Sequence, residues 1–509
     1  MIGRGFFLLW KSEKFIFLLA LGLFFLKLYA SFFVELGNDE VYYTLYAKQL
    51  QWSYFDHPPM VGLSIFLSTI GGLLKDEFFV RFIPILLGSV NIFIVYKLVR
   101  EISSETTARV AALLFSSSIY VQVIAGFFIL PDSILITWLL LSFKMINRIF
   151  LLGDERLINW IYLACFLGLG FLSKYNVAFF IFGLLLYIFS YRKDLLLRFP
   201  LWFTLFIFLF FTLPVIYWNY SKDFISFRFH EGRVGPEVRF EFIFFIREVL
   251  GVFFYNNPIT ILLMIIFFKK RRWIQSGLKY KGVIVLYLFC SLPIIVFFLL
   301  VSISKPTLPH WAAPGYTMLI IPLAFVVSKK LEFIKWSLLF FIIIFLLAPI
   351  SIRFFNFSKD DKPTHAMHLG KNDFTLDLYG WKNLGDSIQL FFKRENKKNS
   401  ILKSSAFVID KWFPGAHIQY YIADKLSWPT YGVGPISDIH QFYFYNQNLP
   451  AMESIDNWYY ITTSHYYRDP YKILFFQDVQ LLKEIPIVKS SDTCAWAYLF
   501  EVKGLKGPF

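Results

Sequence analysis

The chain has 509 residues, of which 57% are hydrophobic, 21% aromatic and only 17% charged. A soluble chain of this length would need far more charge to cover its surface, so a soluble enzyme, a fibre and a disordered protein are excluded. The net charge of +15 fits a membrane protein whose Lys and Arg collect in cytoplasmic loops. We therefore expect a lipid bilayer, and no nucleic acid, as its environment.

Apolar runs of spanning length follow one another over the first 350 residues. The first, 15–34, is long enough to cross a bilayer, and the preceding Arg4, Lys11 and Lys14 predict a cytoplasmic N-terminus. The sequence predicts about eleven spans, near 15–34, 79–99, 107–127, 132–150, 157–173, 174–190, 199–218, 246–268, 281–302, 310–328 and 332–350.

The segment 58–74 is apolar but short, and the positive-inside rule decides its placement. If it does not cross, every strongly basic loop falls on the cytoplasmic side. These loops hold Arg100, Arg148 with Arg156, Arg192-Lys193 with Arg198, 269–272, and Lys329-Lys330. We therefore predict that 58–74 lies at the outer interface or re-enters from it. Successive spans place the connecting loops on alternate sides of the membrane. The same alternation puts 35–78, 128–132, 219–245, 303–310 and the tail on the outer side.

The composition predicts two domains, a transmembrane domain at 1–350 and a less apolar domain at 351–509 on the periplasmic or extracellular side. In the second, Ala406–Asp410, Trp458–Thr462 and Cys494–Val502 are typical of strands, and Gly415–Lys425 of a helix. The fold class is thus an α-helical polytopic membrane protein with a small C-terminal α/β domain. The sequence contains no Walker A loop and no GxGxxG motif, so ATP-driven transport and nucleotide redox chemistry have no support.

Polar residues concentrate at predicted span boundaries, mostly on the outer side, whereas most span interiors lack ionisable groups. The latter argues against a transporter or channel. The polar segments are GNDEVYY at 37–43, YFDHPPM at 54–60, LPDS at 130–133, SKY at 173–175, SFRFHEGR at 226–233 and KPTLPHW at 305–311. Lys27 is the one cation inside a span that we single out, either as a snorkelling lysine or as a contact for an anionic head group.

Each carboxylate has a structural explanation beside a functional one. Asn38 can cap a helix whose first turn carries Asp39 and Glu40, and Asp132 can cap the fourth span. A carboxylate in the first turn of a helix stays ionised, which also suits a general base. Basic residues on the outer face need another explanation, because they oppose the positive-inside trend. A lipid phosphate supplies one, since ammonium and guanidinium groups bind phosphate through charge-assisted hydrogen bonds.

The order of these motifs resembles bacterial members of the protein-mannosyltransferase superfamily. These are GT-C glycosyltransferases, which include the aminoarabinose–lipid A transferases. The resemblance rests on GNDExYY, YFDHPPM, PDxxL, LSKY, SFRFxxGR and KPxxxHWxAPGY, covers about residues 10–350 and fades in the tail. It implies inverting transfer of a sugar from a polyprenyl-phosphate donor to an acceptor hydroxyl at the outer face of the bacterial inner membrane.

Site roles follow from the resemblance by position. Asp39 matches the catalytic acid of the first loop, with Glu40 beside it, and Asp132 matches the acidic residue of PDxxL. Asp56-His57 stands where aminoarabinose transferases have a phosphate-binding lysine after an acidic residue, which puts a full charge at His57 in doubt. The remaining candidates for donor-phosphate or substrate binding are Lys27, Lys174, Tyr175, Arg228, His230, Arg233, Lys305 and His310.

No cofactor is expected, because no nucleotide diphosphate leaves and no ligand cluster suggests a metal. The acceptor stays open among lipid A or lipopolysaccharide, another envelope glycan and a glycosylated protein. Two other functions stay open as well. One is a ligase or polymerase that uses a lipid-linked oligosaccharide, and the other is a non-enzymatic lipid or sugar flippase.

Overall fold

The computed structural model describes residues 14–235, 240–269, 278–328, 331–358, 366–399, 404–473 and 476–504. It confirms a mainly helical membrane fold with a small C-terminal α/β domain. Several predicted basic positions, namely Arg4, Lys11, 270–272 and 329–330, lie outside the described residues. The chain divides into two compact units. The membrane unit comprises 1–28, 51–68 and 79–345, and the tail unit comprises 29–50, 69–78 and 346–509.

This division ends the membrane unit near the predicted domain boundary at 350 but assigns two early loop segments to the tail unit. Hydrogen bonds explain the assignment. The Glu35 N–H donates to the Leu378 carbonyl at 3.1 Å, and the Leu36 N–H donates to the Tyr421 hydroxyl at 2.8 Å. The Tyr421 hydroxyl donates in turn to Glu77 at 2.5 Å. Segments distant in sequence thus fold together around the C-terminal sheet.

The apolar runs form helices, which is the only way a single segment can satisfy its backbone polar groups in lipid. Among the described residues, six helices are long and apolar enough to cross a membrane: Lys14–Ser31, Glu77–Ile102, Pro131–Leu151, Phe199–Ser221, Tyr280–Val301 and Glu332–Phe354. Shorter apolar helices lie at Leu157–Ser173, Val177–Tyr191 and Ala313–Val327. The predicted count of about eleven spans stays a prediction.

Two predicted spans are not single straight helices. The segment 107–127 forms the helix Glu105–Ser117 and then a π-helical turn, Tyr120–Ile124. The segment 246–268 forms two helices, Phe242–Tyr255 and Pro258–Lys269, which are bent by 105°. The physical reason for the bend is local: Asn257 has a positive φ of 70°, and Pro258 begins the second helix, which disfavours an α conformation at the preceding residue.

The segment 58–74 contains one helix, Met60–Ser68, of nine residues. A helix of that length rises only about 13 Å, less than half of the hydrocarbon thickness. It is followed by Ile70, Gly71 and Gly72, all with positive φ, which prevent its continuation. The segment is therefore too short to cross as a helix, and its placement at the outer interface stays a prediction.

The tail unit is built on a five-stranded sheet in the order β2-β1-β3-β5-β4. Its strands are β1 (Ser405–Ile409), β2 (Thr430–Gly432), β3 (Asn457–Thr463), β4 (Asp478–Lys489) and β5 (Asp492–Lys503). Strand β1 pairs in parallel with β2 and β3, whereas β5 pairs antiparallel with β3 and β4. The three predicted strands are confirmed. The short β2 and the proline-containing β4 were not predicted.

Helices cover this sheet. The longest is Trp381–Asn399. The predicted helix at Gly415–Lys425 appears as Trp412–His417, a π-helical stretch Ile418–Ala423, and Asp424–Leu426. The early segment contributes the helix Asn38–Lys48. In it, Tyr42 packs against Trp412 with ring centroids 4.9 Å apart.

The bend at Asn257 yields a stability prediction. Its buried side chain donates to the carbonyls of Ser117 and Ser337, both at 2.9 Å. Asn257→Ala should lower the free energy of unfolding by about 1–3 kcal/mol, because buried carbonyls lose their donor. Asn257→Gly removes the same hydrogen bonds but tolerates the positive φ. It should therefore unfold at a temperature between the wild type and the alanine variant. Equal thermal unfolding of all three proteins in detergent would contradict this account.

Candidate active site

Five of the six polar segments meet within the membrane unit. Tyr175 lies in the turn between Leu157–Ser173 and Val177–Tyr191. Its hydroxyl oxygen is 3.4 Å from the Ser53 hydroxyl and 3.3 Å from the Ser226 hydroxyl. His230, in the helix Ile225–Val234, contacts the Asp56 carbonyl through Nε2 at 2.7 Å. Asn176 donates to the Trp311 carbonyl at 3.1 Å. These contacts join loops that are far apart in the sequence.

A buried ion pair joins two of these segments. The Lys174 Nζ lies 2.7 Å from the Asp132 carboxylate, and the two side chains are only 7% and 2% exposed. The Tyr120 hydroxyl donates to the other carboxylate oxygen at 2.7 Å. Removing one partner of such a pair leaves a buried charge uncompensated, which is strongly destabilising. The three side chains are therefore fixed relative to one another.

The local sequence explains why the Asp132 carboxylate is available to Lys174. The helix begins with Pro131, and it is Ser133 that satisfies the backbone near its start. The Ser133 hydroxyl accepts the Leu130 N–H at 3.1 Å and donates to the Phe128 carbonyl at 2.7 Å. The carboxylate of Asp132 is thus directed to Lys174 and Tyr120 rather than used as a helix cap.

Three histidines surround this pair and are uncharged at neutral pH. Burial lowers the pKa of His310 to about 4, with a further contribution from the positive charge of Lys174. Burial also lowers the pKa of His230 to about 4, against the hydrogen bond to Asp56, which raises it. The pKa of His57 falls well below its ordinary value for the same main reason, and nearby His230, Lys174 and Arg233 add to the effect. The surroundings of His57 therefore disfavour a full positive charge at this position.

Two further cations, Arg233 and Lys305, lie near the C-terminal ends of the helices Ile225–Val234 and Leu278–Val301. The guanidinium of Arg233 stacks over the Trp311 ring at 4.7 Å and lies 5.4 Å from the Phe229 ring. Lys305 donates to the Gly232 carbonyl at 2.8 Å, which fixes it beside the end of the same helix. We call Asp132, Lys174, His57, His230, His310 and Arg233 the charged cluster, because electrostatic interactions link each of them to others of the set.

Two predicted binding residues are not brought into this cluster by the described contacts. Arg228 is exposed, and within the described residues its guanidinium makes no hydrogen bond or ion pair. Lys27 is 1% exposed and lies where the backbones of two segments approach each other. A Cβ at Gly88 would be 2.6 Å from the Lys27 Nζ, and one at Gly126 would be 3.0 Å away. Lys27 is therefore buried inside the helical bundle rather than extended along a helix surface.

An apolar cavity of about 890 Å³ lies in the membrane unit between Val177–Tyr191 and Leu278–Val301. The first of these helices follows Lys174, and the second precedes Lys305. The lining is mostly aromatic and aliphatic and includes Phe179, Phe182, Leu186, Phe289, Val296 and Leu300. Lys281 and Tyr191 also line it, so a long apolar chain can lie there with polar groups at hand.

The sixth segment, GNDEVYY, belongs to the tail unit. Glu40 is 2% exposed, and its carboxylate accepts the Gly37 N–H at 2.9 Å, so it supports the start of the helix. Gly37 occupies the N-cap position expected for Asn38. The Asn38 side chain instead contacts His417, with 2.8 Å between Oδ1 and Nε2. Asp39 follows in the first turn of the helix and is half-buried.

Sequence reasoning missed Tyr120, Ser53 and Ser226 as parts of this arrangement. Tyr120 comes before Asp132 on a π-helical turn, a distortion that leaves no clear periodic signal. Ser53 directly precedes YFDHPPM, and Ser226 is the first residue of SFRFHEGR, so proximity to these motifs was the available signal. Among the described residues, no group of three His, Cys, Asp or Glu side chains could hold a metal ion.

Comparisons with known proteins agree with this architecture. Residues 56–218 match the model of the dolichyl-phosphate-mannose-protein mannosyltransferase family. The fold is similar to that of ArnT from Cupriavidus metallidurans bound to undecaprenyl phosphate, with a TM-score of 0.62 and 14% identity over 96% of this chain and 98% of that one. The apo form of the same protein gives a TM-score of 0.59 at 14% identity over 98% of each chain.

The comparison with curated proteins found no match to this sequence. The matched family region contains three of the six segments in whole or in part and includes Asp132 and Lys174, while the fold match extends over nearly the whole chain. The chain is thus a multi-pass membrane protein whose fold is similar to that of ArnT and whose residues 56–218 match the mannosyltransferase family model.

Proposed function

We propose that this protein transfers a sugar from a polyprenyl-phosphate donor to an acceptor hydroxyl, with inversion, at the outer face of the bacterial inner membrane. The observation that carries the proposal is the charged cluster. Buried Lys174 is held by Asp132, and Arg233 is held over Trp311. Fixed positive charge beside uncharged imidazoles can stabilise a phosphate that gains negative charge as it leaves.

The chemistry divides into two parts. The acceptor oxygen forms a bond to the anomeric carbon and loses its proton to a base. The bond from that carbon to the phosphate oxygen breaks, and the lipid phosphate leaves with the electron pair. Lys174 and Arg233 stabilise the leaving phosphate by charge, while neutral His57 and His310 can each donate one N–H hydrogen bond. The single N–H of neutral His230 is donated to the Asp56 carbonyl.

We assign the base to Asp39 on the resemblance of the GNDE motif. The described contacts of Asp132 favour a different role, because its carboxylate is already engaged by Lys174 and Tyr120. In this proposal Asp132 keeps Lys174 charged and in place. Glu40 supports the loop through Gly37. No divalent metal is required, since the cations supply the charge, so we expect turnover to survive EDTA.

The apolar cavity is a candidate binding site for the lipid part of the donor. Undecaprenyl phosphate is the ligand of the structurally similar ArnT. The apolar cavity between the helices that follow Lys174 and precede Lys305 is lined by groups that suit an isoprenoid chain. We propose that this cavity takes part of the polyprenyl tail. The acceptor, whether glycolipid, envelope glycan or protein, is left to experiment.

The ion pair provides a test that separates stability from catalysis. Asp132→Asn and Lys174→Met should each lower the free energy of unfolding by about 3–5 kcal/mol, because each leaves one buried group uncompensated. The double variant should recover much of that stability. It should nevertheless stay inactive, since the charge that faces the phosphate is gone. Thermal unfolding and a sugar-transfer assay on the same preparations measure both quantities. A stable and fully active double variant would remove the cluster from the mechanism.

The two arginines of one helix form a matched pair for a second test. Arg233→Ala should weaken binding of undecaprenyl phosphate by about ten- to a hundredfold, the value of a charge-assisted hydrogen bond. Arg233 and Arg228 are both exposed, but within the described residues Arg228 makes no ring contact, so Arg228→Ala removes an equal charge and should change affinity less than threefold. Arg233→Lys should recover only part of the loss, because the planar fork is absent. Equal effects at both positions would mean that Arg233 acts only through long-range charge.

The base assignment is tested at Asp39. Asp39→Asn preserves the shape of the side chain but removes its basicity, and it should lower turnover by about 10²–10⁴-fold. Binding of undecaprenyl phosphate should be retained. Asp76→Asn, at an exposed carboxylate of the same unit, is the control and should keep wild-type turnover. Normal transfer by purified Asp39→Asn protein would show that another group takes the proton.

A further inference from the structure

The segment that carries Asp39 is built into the C-terminal domain. The Glu35 carboxylate accepts the Trp381 N–H at 2.7 Å, at the start of the helix Trp381–Asn399. At the other end of the helix Asn38–Lys48, Lys48 forms an ion pair with Asp424. The Tyr42 hydroxyl accepts the Gln441 N–H at 3.2 Å. Both ends and the middle of the helix are therefore held by residues from beyond position 380.

The residue next to Asp39 has the most specific of these contacts. Asn38 Oδ1 lies 2.8 Å from His417 Nε2. Its side chain also lies near Asp377 and Tyr466, and the Tyr466 hydroxyl donates to Asp377 at 2.6 Å. Three residues of the tail unit thus lie around one amide side chain, and His417 holds its oxygen.

The protonation of His417 is fixed by its surroundings. Burial, with a smaller contribution from His465, lowers the pKa of His417 well below its ordinary value, so the ring is neutral. An amide oxygen is an acceptor, so Nε2 must carry the hydrogen and donate it to Asn38. The ring cannot turn away, because Trp381 stacks on it with centroids 4.2 Å apart and an angle of 13°. Tyr421 is nearly parallel to it at 6.0 Å.

We propose that His417 is a positioning residue, which acts through Asn38 to hold Asp39 in the geometry needed for proton transfer. This inference rests on the proposed function of Asp39 as the base. Its physical basis is that catalytic groups must be held closely, since a displacement of about 1 Å can cost a hundredfold in rate. The C-terminal domain then supplies the residue that positions the base.

The first test does not require a known donor. Hydrogen exchange of the full-length protein in detergent, read by mass spectrometry, should show peptides covering residues 36–46 exchanging at least about tenfold faster in His417→Phe than in wild type. The exchange of the membrane helices should be unchanged. His417→Gln keeps a donor near the Nε2 position and should restore slow exchange. Lys425→Met, which breaks the surface ion pair with Asp386, is the control and should behave like wild type.

The second test concerns turnover. His417→Phe should lower kcat by about ten- to a hundredfold with less than a twofold change in KM for the lipid donor, and His417→Gln should recover most of the loss. Asn38→Ala should produce a similar decrease, and the two substitutions together should cost no more than one alone, because they act through one contact. Multiplicative losses, a raised KM with normal kcat, or normal exchange at 36–46 would each overturn the proposal.

These results are distinguishable from a failure of the proposed function. If Asp39→Asn keeps full turnover while His417→Phe accelerates exchange at 36–46, the domain positions the loop but Asp39 is not the base. If Asp39→Asn is inactive and His417→Phe is normal in both tests, the base assignment stands and the positioning role is wrong. The thermal unfolding temperature of each variant shows whether the tail unit is intact, and the glutamine variant keeps the test valid if the phenylalanine variant misfolds.

Discussion

The arrangement of the membrane unit depends on one interaction, the buried ion pair between Asp132 and Lys174. Two opposite charges taken out of water are stable only when their geometry is good and their remaining hydrogen bonds are satisfied. Tyr120 satisfies one of these at the carboxylate. This requirement fixes the start of one helix against the turn between two others. The segments at 51–59, 225–234 and 302–312 then gather at a fixed point of positive charge.

That positive charge also determines the state of the neighbouring histidines. Burial and nearby cations keep the pKa values of His57, His230 and His310 low, so the positive charge of the cluster lies on Arg233 and on Lys174, which is paired with Asp132. A bound phosphate changes this balance, because an anion favours protonation of the imidazoles beside it. The same groups are therefore suited to a substrate that arrives with one charge and leaves with more, as a lipid phosphate does on losing its sugar.

Many secondary-structure elements and the polar segments could be predicted from the sequence, but several contacts of the site could not. The helical nature of the apolar runs, the three strands at 406–410, 458–462 and 494–502, and the set of polar segments followed from hydropathy and turn chemistry, whereas the number of spans stays a prediction. The pairing of Asp132 with Lys174 did not, because it joins residues 42 apart in the chain. Tyr120 was hidden by a π-helical turn. The sequence Asn256-Asn257-Pro258 indicates a bend at Asn257. Because apolar residues lie on both sides of it, the segment was predicted as one continuous span.

The measurement that tests the central claim most directly is mass spectrometry of the envelope from cells with and without this protein. The account predicts that one glycolipid, glycan or protein loses the mass of a single sugar when the protein is absent, while the corresponding polyprenyl-phosphate sugar accumulates. Identical glycosylation in both cells, or accumulation of a diphosphate-linked oligosaccharide in place of the monophosphate sugar, would contradict it.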